Sequence, residues 1–181
     1  MLTTDRELAV ETLAILIVPH PGLRKTARPV KAEDKEALRD LIPALYATMY
    51  KAPGIGLAAP QVGRLLRLLV IDLKPEGTPT PLTMINPEIV AKSEELATRE
   101  EGCLSLPDQY AEVTRPARIK ARYEDESGMR REIAAEGLLA ACIQHEIDHL
   151  NGVLFVDYLS PLKRNMLLRK LAKEQKEKRG R

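Results

Sequence analysis

Two of the chain's three histidines fall in one pentad, His145-Glu146-Ile147-Asp148-His149. Residues four apart on a helix share a face, one turn apart, so both imidazoles can reach one metal ion. Glu146 projects from the neighbouring side, where a carboxylate can act as a base on water at the metal instead of ligating. Leu138, Leu139, Cys142, Ile143 and Leu150 supply apolar residues around the pentad, as a helix packed into a body requires. Two surface histidines on a charged helix would be the plainer reading, and those apolar neighbours argue against it. A five-residue pattern recurs by chance, so the remaining ligands carry the decision.

A catalytic metal site takes a third protein ligand and keeps an open position. Downstream of the pentad the acidic residues are Asp157, Glu174 and Glu177, the last two in a basic tail. The better candidate lies upstream. Cys103 sits in Glu101-Gly102-Cys103-Leu104-Ser105-Leu106-Pro107, where Pro107 is expected to end the local element. A thiolate there makes a Cys-His-His site, softer and more electron-donating than His-His-Glu. Cys142 is the rival thiol, three residues before His145. Residues 142, 145 and 149 climb two turns of one helix and can hardly surround one ion, so Cys142 is assigned to packing, the usual place of a free cysteine.

Pro53-Gly54-Ile55-Gly56-Leu57-Ala58-Ala59-Pro60-Gln61 is the other unusual stretch. It nearly matches a dinucleotide fingerprint, but a helical pattern precedes it and Pro60 with a strand follows, the reverse of that motif's context. It also lacks the Gly-Lys-Ser/Thr of a phosphate loop. What remains is a tight backbone path ending at Gln61, whose side-chain amide can donate to a developing oxyanion. Taken alone, a turn with an exposed glutamine explains these residues as well.

The elements that position these groups follow from composition and periodicity. A chain of 181 residues suits one domain and can bury roughly 70% of its unfolded surface. Two cysteines exclude a disulfide scaffold, and no apolar run approaches the ~20 residues of a membrane span. One Phe, five Tyr and no Trp leave the core to aliphatic residues and offer little for stacking on bases, so sequence-specific nucleic-acid binding is not expected. The longest N-terminal apolar run, Leu13 to Val18, follows Asp5, Glu7 and Glu11, unlike an export signal; the expected location is the cytoplasm. Residues 31–50 predict a helix with Leu38, Leu41, Ile42, Leu45 and Met49 on one face, kinked or delayed by Pro43. Residues 64–73 predict a buried strand, 75–81 a proline-rich loop, and 82–98 an extended segment broken by Pro87. Residues 117–123 and 129–135 form a hairpin around Asp125-Glu126-Ser127-Gly128. Residues 136–150 form the helix of the pentad, stopped at Asn151-Gly152. The order predicts an α+β fold, with mostly antiparallel sheets packed around a central metal-binding helix and a C-terminal helix.

Charge is uneven along the chain. Residues 162–181 hold nine Lys or Arg and two Glu, a local balance of +7, against −5 for the remainder. A basic tail on a slightly acidic body suits an anionic partner such as RNA; a solvated helix end explains it equally. Ser160 before Pro161 predicts an N-cap. Leu162, Met166, Leu167 and Leu171 are expected to dock on the body, while Lys173 to Arg181 project or fray.

Three segments now coincide with one family. GIGLAAPQ at 54–61, EGCLS at 101–105 and QHEIDHLNG at 144–152 occur in this order, and the chain resembles peptide deformylases, enzymes that remove the N-formyl group from nascent proteins. The likeness runs from about Leu23 to the C-terminus, and the basic C-terminal helix resembles the bacterial type 1 branch. The resemblance implies Cys103, His145 and His149 as metal ligands and Glu146 as general acid/base. It implies that Gln61 and the backbone N–H of Leu104 stabilise the oxyanion, and that Gly56 lines the substrate groove. It implies one divalent ion, Fe(II) in the cell, with zinc, nickel or cobalt able to substitute. The substrates it implies are N-formyl-methionyl nascent peptides, and the C-terminal helix would dock on the ribosome near the exit tunnel. The whole chain, 1–181, then reads as a single catalytic domain with residues 1–12 as an extension and 161–181 as the basic helix. Tyr110 stands where some relatives carry arginine, a departure that touches peptide binding. Two other readings compete: a zinc metallopeptidase of other specificity, and a non-catalytic ribosome-binding module. The upstream cysteine argues against the first, and the presence of Cys103, Glu146 and Gln61 against the second.

Overall fold

The computed structural model describes residues 10–180. Three α-helices are present among them: α1 (Lys35–Lys51), α2 (Gly137–Leu150) and α3 (Pro161–Arg179). The strands are β1 (Gly56–Ala58), β2 (Leu68–Ile71), β3 (Leu82–Lys92), β4 (Leu96–Cys103), β5 (Leu106–Pro116), β6 (Arg118–Glu124) and β7 (Arg130–Glu136). They form a five-stranded sheet in the order β1-β2-β3-β6-β7 and a separate β4–β5 pair. Every pairing between these strands is antiparallel, so the α+β expectation holds.

Strand alternation builds the two main cores. Successive side chains of a strand face opposite sides. Leu69, Ile71 and Met84 meet Ala140, Cys142, Ile143, Ile147 and Leu150 of α2 on one face. Leu68, Val70 and Ile85 meet Leu38, Leu41, Ile42, Leu45 and Met49 of α1 on the other. The central helix is therefore buried because the sheet screens it from one side. A third cluster joins Leu106 and Val113 of β5 to Phe155, Val156 and Leu171, which seats α3 against the small sheet.

Prolines account for most departures from expectation. Pro43 lies inside α1, which continues through it; the buried stripe outweighs the one lost backbone bond. Pro87 does not break β3, because the strand shifts register between Ile85 and Glu88. Asn86 takes a positive φ of 50° there, and its side chain bonds both the N–H and the carbonyl of Val30. Bulges are where sheets accept proline. Pro107 likewise does not stop its element: it lies within β5, just after a tight turn. The β4–β5 hairpin was not expected, since Thr98 to Glu101 carry charge and no alternating apolar pattern.

The helix ends follow expectation. Gly152 (φ 71°) closes α2, packed against the Arg24 backbone. The Ser160 hydroxyl accepts from the Lys163 N–H and caps α3. The docking face of α3 differs from the one expected, however. Leu162 and Met166 are exposed, and Leu168 joins Leu167 and Leu171 against the body. The tail beyond Ala172 also stays helical to Arg179 and touches the body through Glu174 and Lys178. Of the extension expected at 1–12, residues 1–9 lie outside the described residues. Leu13 to Val18 run along the body, with the N–H groups of Leu13, Leu16 and Val18 bonded to Thr48, Gln61 and Ser105.

Candidate metal centre and active site

The β4–β5 turn brings Cys103 to the helix of the pentad. Donor atoms of Cys103, His145 and His149 lie within 4.8 Å of one another, and Cys103 Sγ is 3.2 Å from His149 Nε2. Metal–sulfur bonds of ~2.3 Å and metal–nitrogen bonds of ~2.0 Å in a tetrahedron put neighbouring donors some 3–4 Å apart. The three side chains therefore fit one divalent ion with little movement. Cys142 is not part of the group; it is buried in the α2 core, and burial pushes its thiol up, away from the thiolate form.

A second layer orients the imidazoles. Glu101 is two residues before Cys103, and residues two apart on a strand face the same side. Its Oε2 lies 3.2 Å from His145 Nδ1, which directs His145 Nε2 toward the donor group. Arg115 donates to both Glu101 oxygens at 2.6 and 3.0 Å, and to Asp148 at 2.8 Å. Burial alone would raise the Glu101 carboxyl, but His145 and Arg115 hold it down at about 2. Burial pushes His149 well below its ordinary value, which favours the neutral ring that a ligand needs. A carboxylate behind a ligating histidine fixes its tautomer and raises its basicity.

Glu146 comes from α2 and Gln61 from the short turn after β1. Glu146 is buried, and its Oε2 has no hydrogen-bond partner among the described residues; burial pushes its carboxyl up to about 7. Its Oε1 packs on Gly56, where an added Cβ would come within 2.6 Å. Gln61 is buried, not exposed as a plain turn would leave it. It sits in a short 3-10 turn, Ala59–Val62, and its Oε1 accepts the Ala58 N–H at 2.9 Å. That bond fixes the amide orientation, so Nε2 points inward, 3.1 Å from Ser105 Oγ and 3.5 Å from Cys103 Sγ. Leu104 lies in the turn between β4 and β5, its side chain packed over Gly54.

The site opens on one cavity of about 710 Å³. Gly56, Gln61, Cys103, Leu104, His145 and Glu146 line it, and His149 meets the group through Cys103 Sγ. Five further contributors were missed, one of them Arg115 behind Glu101. Ile15 and Ile17 line the cavity from the N-terminal segment, a placement no local pattern announces. Glu101 and Ser105 were in view inside EGCLS, and the two-residue strand period around Cys103 was the signal that could have found them.

A sequence model of the family described as "Polypeptide deformylase" matches residues 12–165, which begins earlier than the likeness expected from Leu23. A peptide deformylase of Mesorhizobium japonicum is 54% identical over 165 residues, covering 91% of this chain and 93% of that one. One of Rhizobium meliloti is 53% identical over 163 residues, covering 90% and 93%. Among solved structures, a peptide deformylase from Legionella pneumophila superposes with a TM-score of 0.88 at 47% identity, covering 94% of this chain and 99% of that one.

Proposed function

The chain belongs to the peptide deformylase family, and from that membership we infer that it removes the N-terminal formyl group from N-formyl-methionyl nascent polypeptides, releasing formate. It is a metal-dependent hydrolase. The observation that carries the reading at the level of residues is the Cys103, His145 and His149 donor group, beside a cavity that Cys103, His145 and Glu146 line.

The roles we propose follow from placement. Cys103, His145 and His149 hold one divalent ion, with Glu101 and Arg115 behind His145. When bound, that ion supplies Lewis acidity and makes hydroxide available near neutral pH. Glu146, one residue along the helix from His145, accepts the proton of the attacking water and returns it to the leaving amine nitrogen. Such a relay contributes roughly 10²–10⁴-fold. As oxygen adds to the formyl carbon, charge grows on the formyl oxygen. Gln61 Nε2 has one hydrogen engaged by Ser105 and the other turned toward Cys103 and the cavity, and it donates to that oxyanion together with the Leu104 N–H. The C–N bond then breaks, giving formate and a free N-terminus. Gly56 contributes by having no side chain, since any Cβ would press on Glu146. The apolar residues Ile15, Ile17 and Leu106 border the same cavity and suit a methionine side chain.

The ion in the cell is proposed to be Fe(II), with zinc, nickel or cobalt able to take its place. A thiolate with two imidazoles accepts several divalent metals, and both the thiolate and Fe(II) are open to oxidation. The chain is proposed to act in the cytoplasm as a single catalytic domain, with the exposed Lys and Arg of α3 toward the ribosome near the exit tunnel. No helix among the described residues is long and apolar enough to cross a membrane.

The test is metal content and formate release, measured on anaerobically purified protein with an N-formyl-methionyl peptide and an unformylated peptide as substrates. About one metal per chain with formate release, and no internal cleavage, is the expected result. Bound metal with internal cleavage and no formate would overturn the reading in favour of a metallopeptidase. The element found decides iron against zinc.

A further inference from the structure

The start of β5 is irregular where it borders the cavity. Gly102 pairs with Tyr110, and the next pair is Cys103 with Leu106. Pro107, Asp108 and Gln109 therefore have no partner on β4 and form a bulge directly after the Cys103 turn. Asp108 holds a φ of 61°, a conformation disfavoured for a residue with a side chain. Bulges re-aim strands beside functional sites but leave backbone unpaired, so other contacts must hold this one.

Those contacts come from the far end of the chain. Gln109 is 3% exposed, and its Nε2 donates to Glu174 Oε2 of α3 at 2.8 Å, with a longer contact to the Pro107 carbonyl at 3.4 Å. Lys178 Nζ lies 3.5 Å from Asp108 Oδ2. Leu171, one turn before Glu174, is buried with Leu106 in the same cluster. Pro107, Asp108, Gln109 and Tyr110 all line the cavity that holds the donor group. The exposed side chains of Asp108 and Tyr110 place this bulge at the cavity mouth, while Cys103 and His145 lie deeper.

We propose that Glu174 is a positioning residue: it clamps the 107–109 bulge through Gln109 and so shapes the mouth of the cavity for the peptide chain that follows the formylated residue. The proposal rests on the deformylase reading for its substrate, and on the structure alone for the clamp. The C-terminal helix then has a second role beyond presenting positive charge, because its end is tied to the wall of the active site. The Lys170–Glu174 pair along α3 is long, 3.9 Å, and reaches the other carboxylate oxygen, Oε1, so it leaves Oε2 to Gln109.

The test uses the full chain and the variants Glu174→Ala and Glu174→Gln. KM and kcat are measured on N-formyl-methionine amide and on an N-formyl-methionyl tetrapeptide. Glu174→Ala is expected to raise the tetrapeptide KM about fivefold, the size of one typical hydrogen bond. Its kcat, and the KM for the short amide, should stay at wild-type values. Glu174→Gln keeps an acceptor oxygen for Gln109 and should restore the tetrapeptide KM. Hydrogen exchange at the backbone amides of 108–110 should quicken in Glu174→Ala, with α2 unchanged. An equal rise in KM for both substrates, no change in either, or no recovery with glutamine would overturn the clamp. If the wild-type chain released no formate, the deformylase reading would fall, and the exchange rates would still decide whether Glu174 holds the bulge.

Discussion

Gly56→Ala isolates the contact between β1 and the acid/base candidate. Gly56 does not carry a positive φ, so alanine is free to adopt its backbone conformation. The added Cβ, however, would stand 2.6 Å from Glu146 Oε1 and 3.0 Å from Cys142 Sγ. Ordinary contact begins near 3.4 Å, so the carboxylate must retreat by about 0.8 Å. Glu146 is 4% exposed and cannot swing into solvent. A misplacement of ~1 Å in a reacting group costs on the order of 10²-fold in rate, so kcat for a formyl-methionyl peptide should fall by about that factor. The atoms that meet the new methyl are not those of Cys103, His145 or His149, so metal content should stay at the wild-type level. The assay is formate release at saturating substrate beside elemental analysis of the same preparation. Adding Cys142→Ala removes only the sulfur contact and should recover little. A Gly56→Ala enzyme with full metal and a kcat within twofold of wild type would refute both the placement of Glu146 and its proposed role.

Four other outcomes are expected. Glu146→Gln should retain metal and lose roughly 10²–10⁴-fold in kcat; full activity would remove Glu146 from the chemistry. Gln61→Ala should lower kcat by about 10²–10³-fold through loss of one oxyanion donor, seen as a drop in kcat larger than any change in KM. Cys103→Ser replaces a soft donor with a hard one and should lower metal per chain after dialysis, whereas undiminished metal would take Cys103 out of the site. Glu101→Gln should weaken metal binding by about 10–100-fold, the usual effect of losing a carboxylate behind a ligating histidine, as read by competition with a chelator.

The residues capable of chemistry were legible in the sequence because their relations are local. His145, Glu146 and His149 lie within one and a quarter turns of one helix, so helical geometry alone places two imidazoles together and a carboxylate beside them. Strong alternation and the Asp125–Gly128 turn likewise announced the β6–β7 hairpin, and the serine and glycine punctuation announced the ends of α3 and α2. Tertiary structure decided everything that joins distant segments. Residues 103 and 149 are brought to 3.2 Å by two separate cores, and the Glu101–His145 bond spans 44 positions. The Gln109–Glu174 bond spans 65, and neither residue has a neighbour in sequence that predicts it. Pro87 and Pro107 misled for the same reason. A proline's local preference is to end an element, and here bulges held by remote partners, Asn86 on Val30 and Gln109 on Glu174, let the strands continue. Periodicity reports which face of an element is apolar. Which other element covers that face, and which polar atoms meet across it, is settled only when the whole chain has packed.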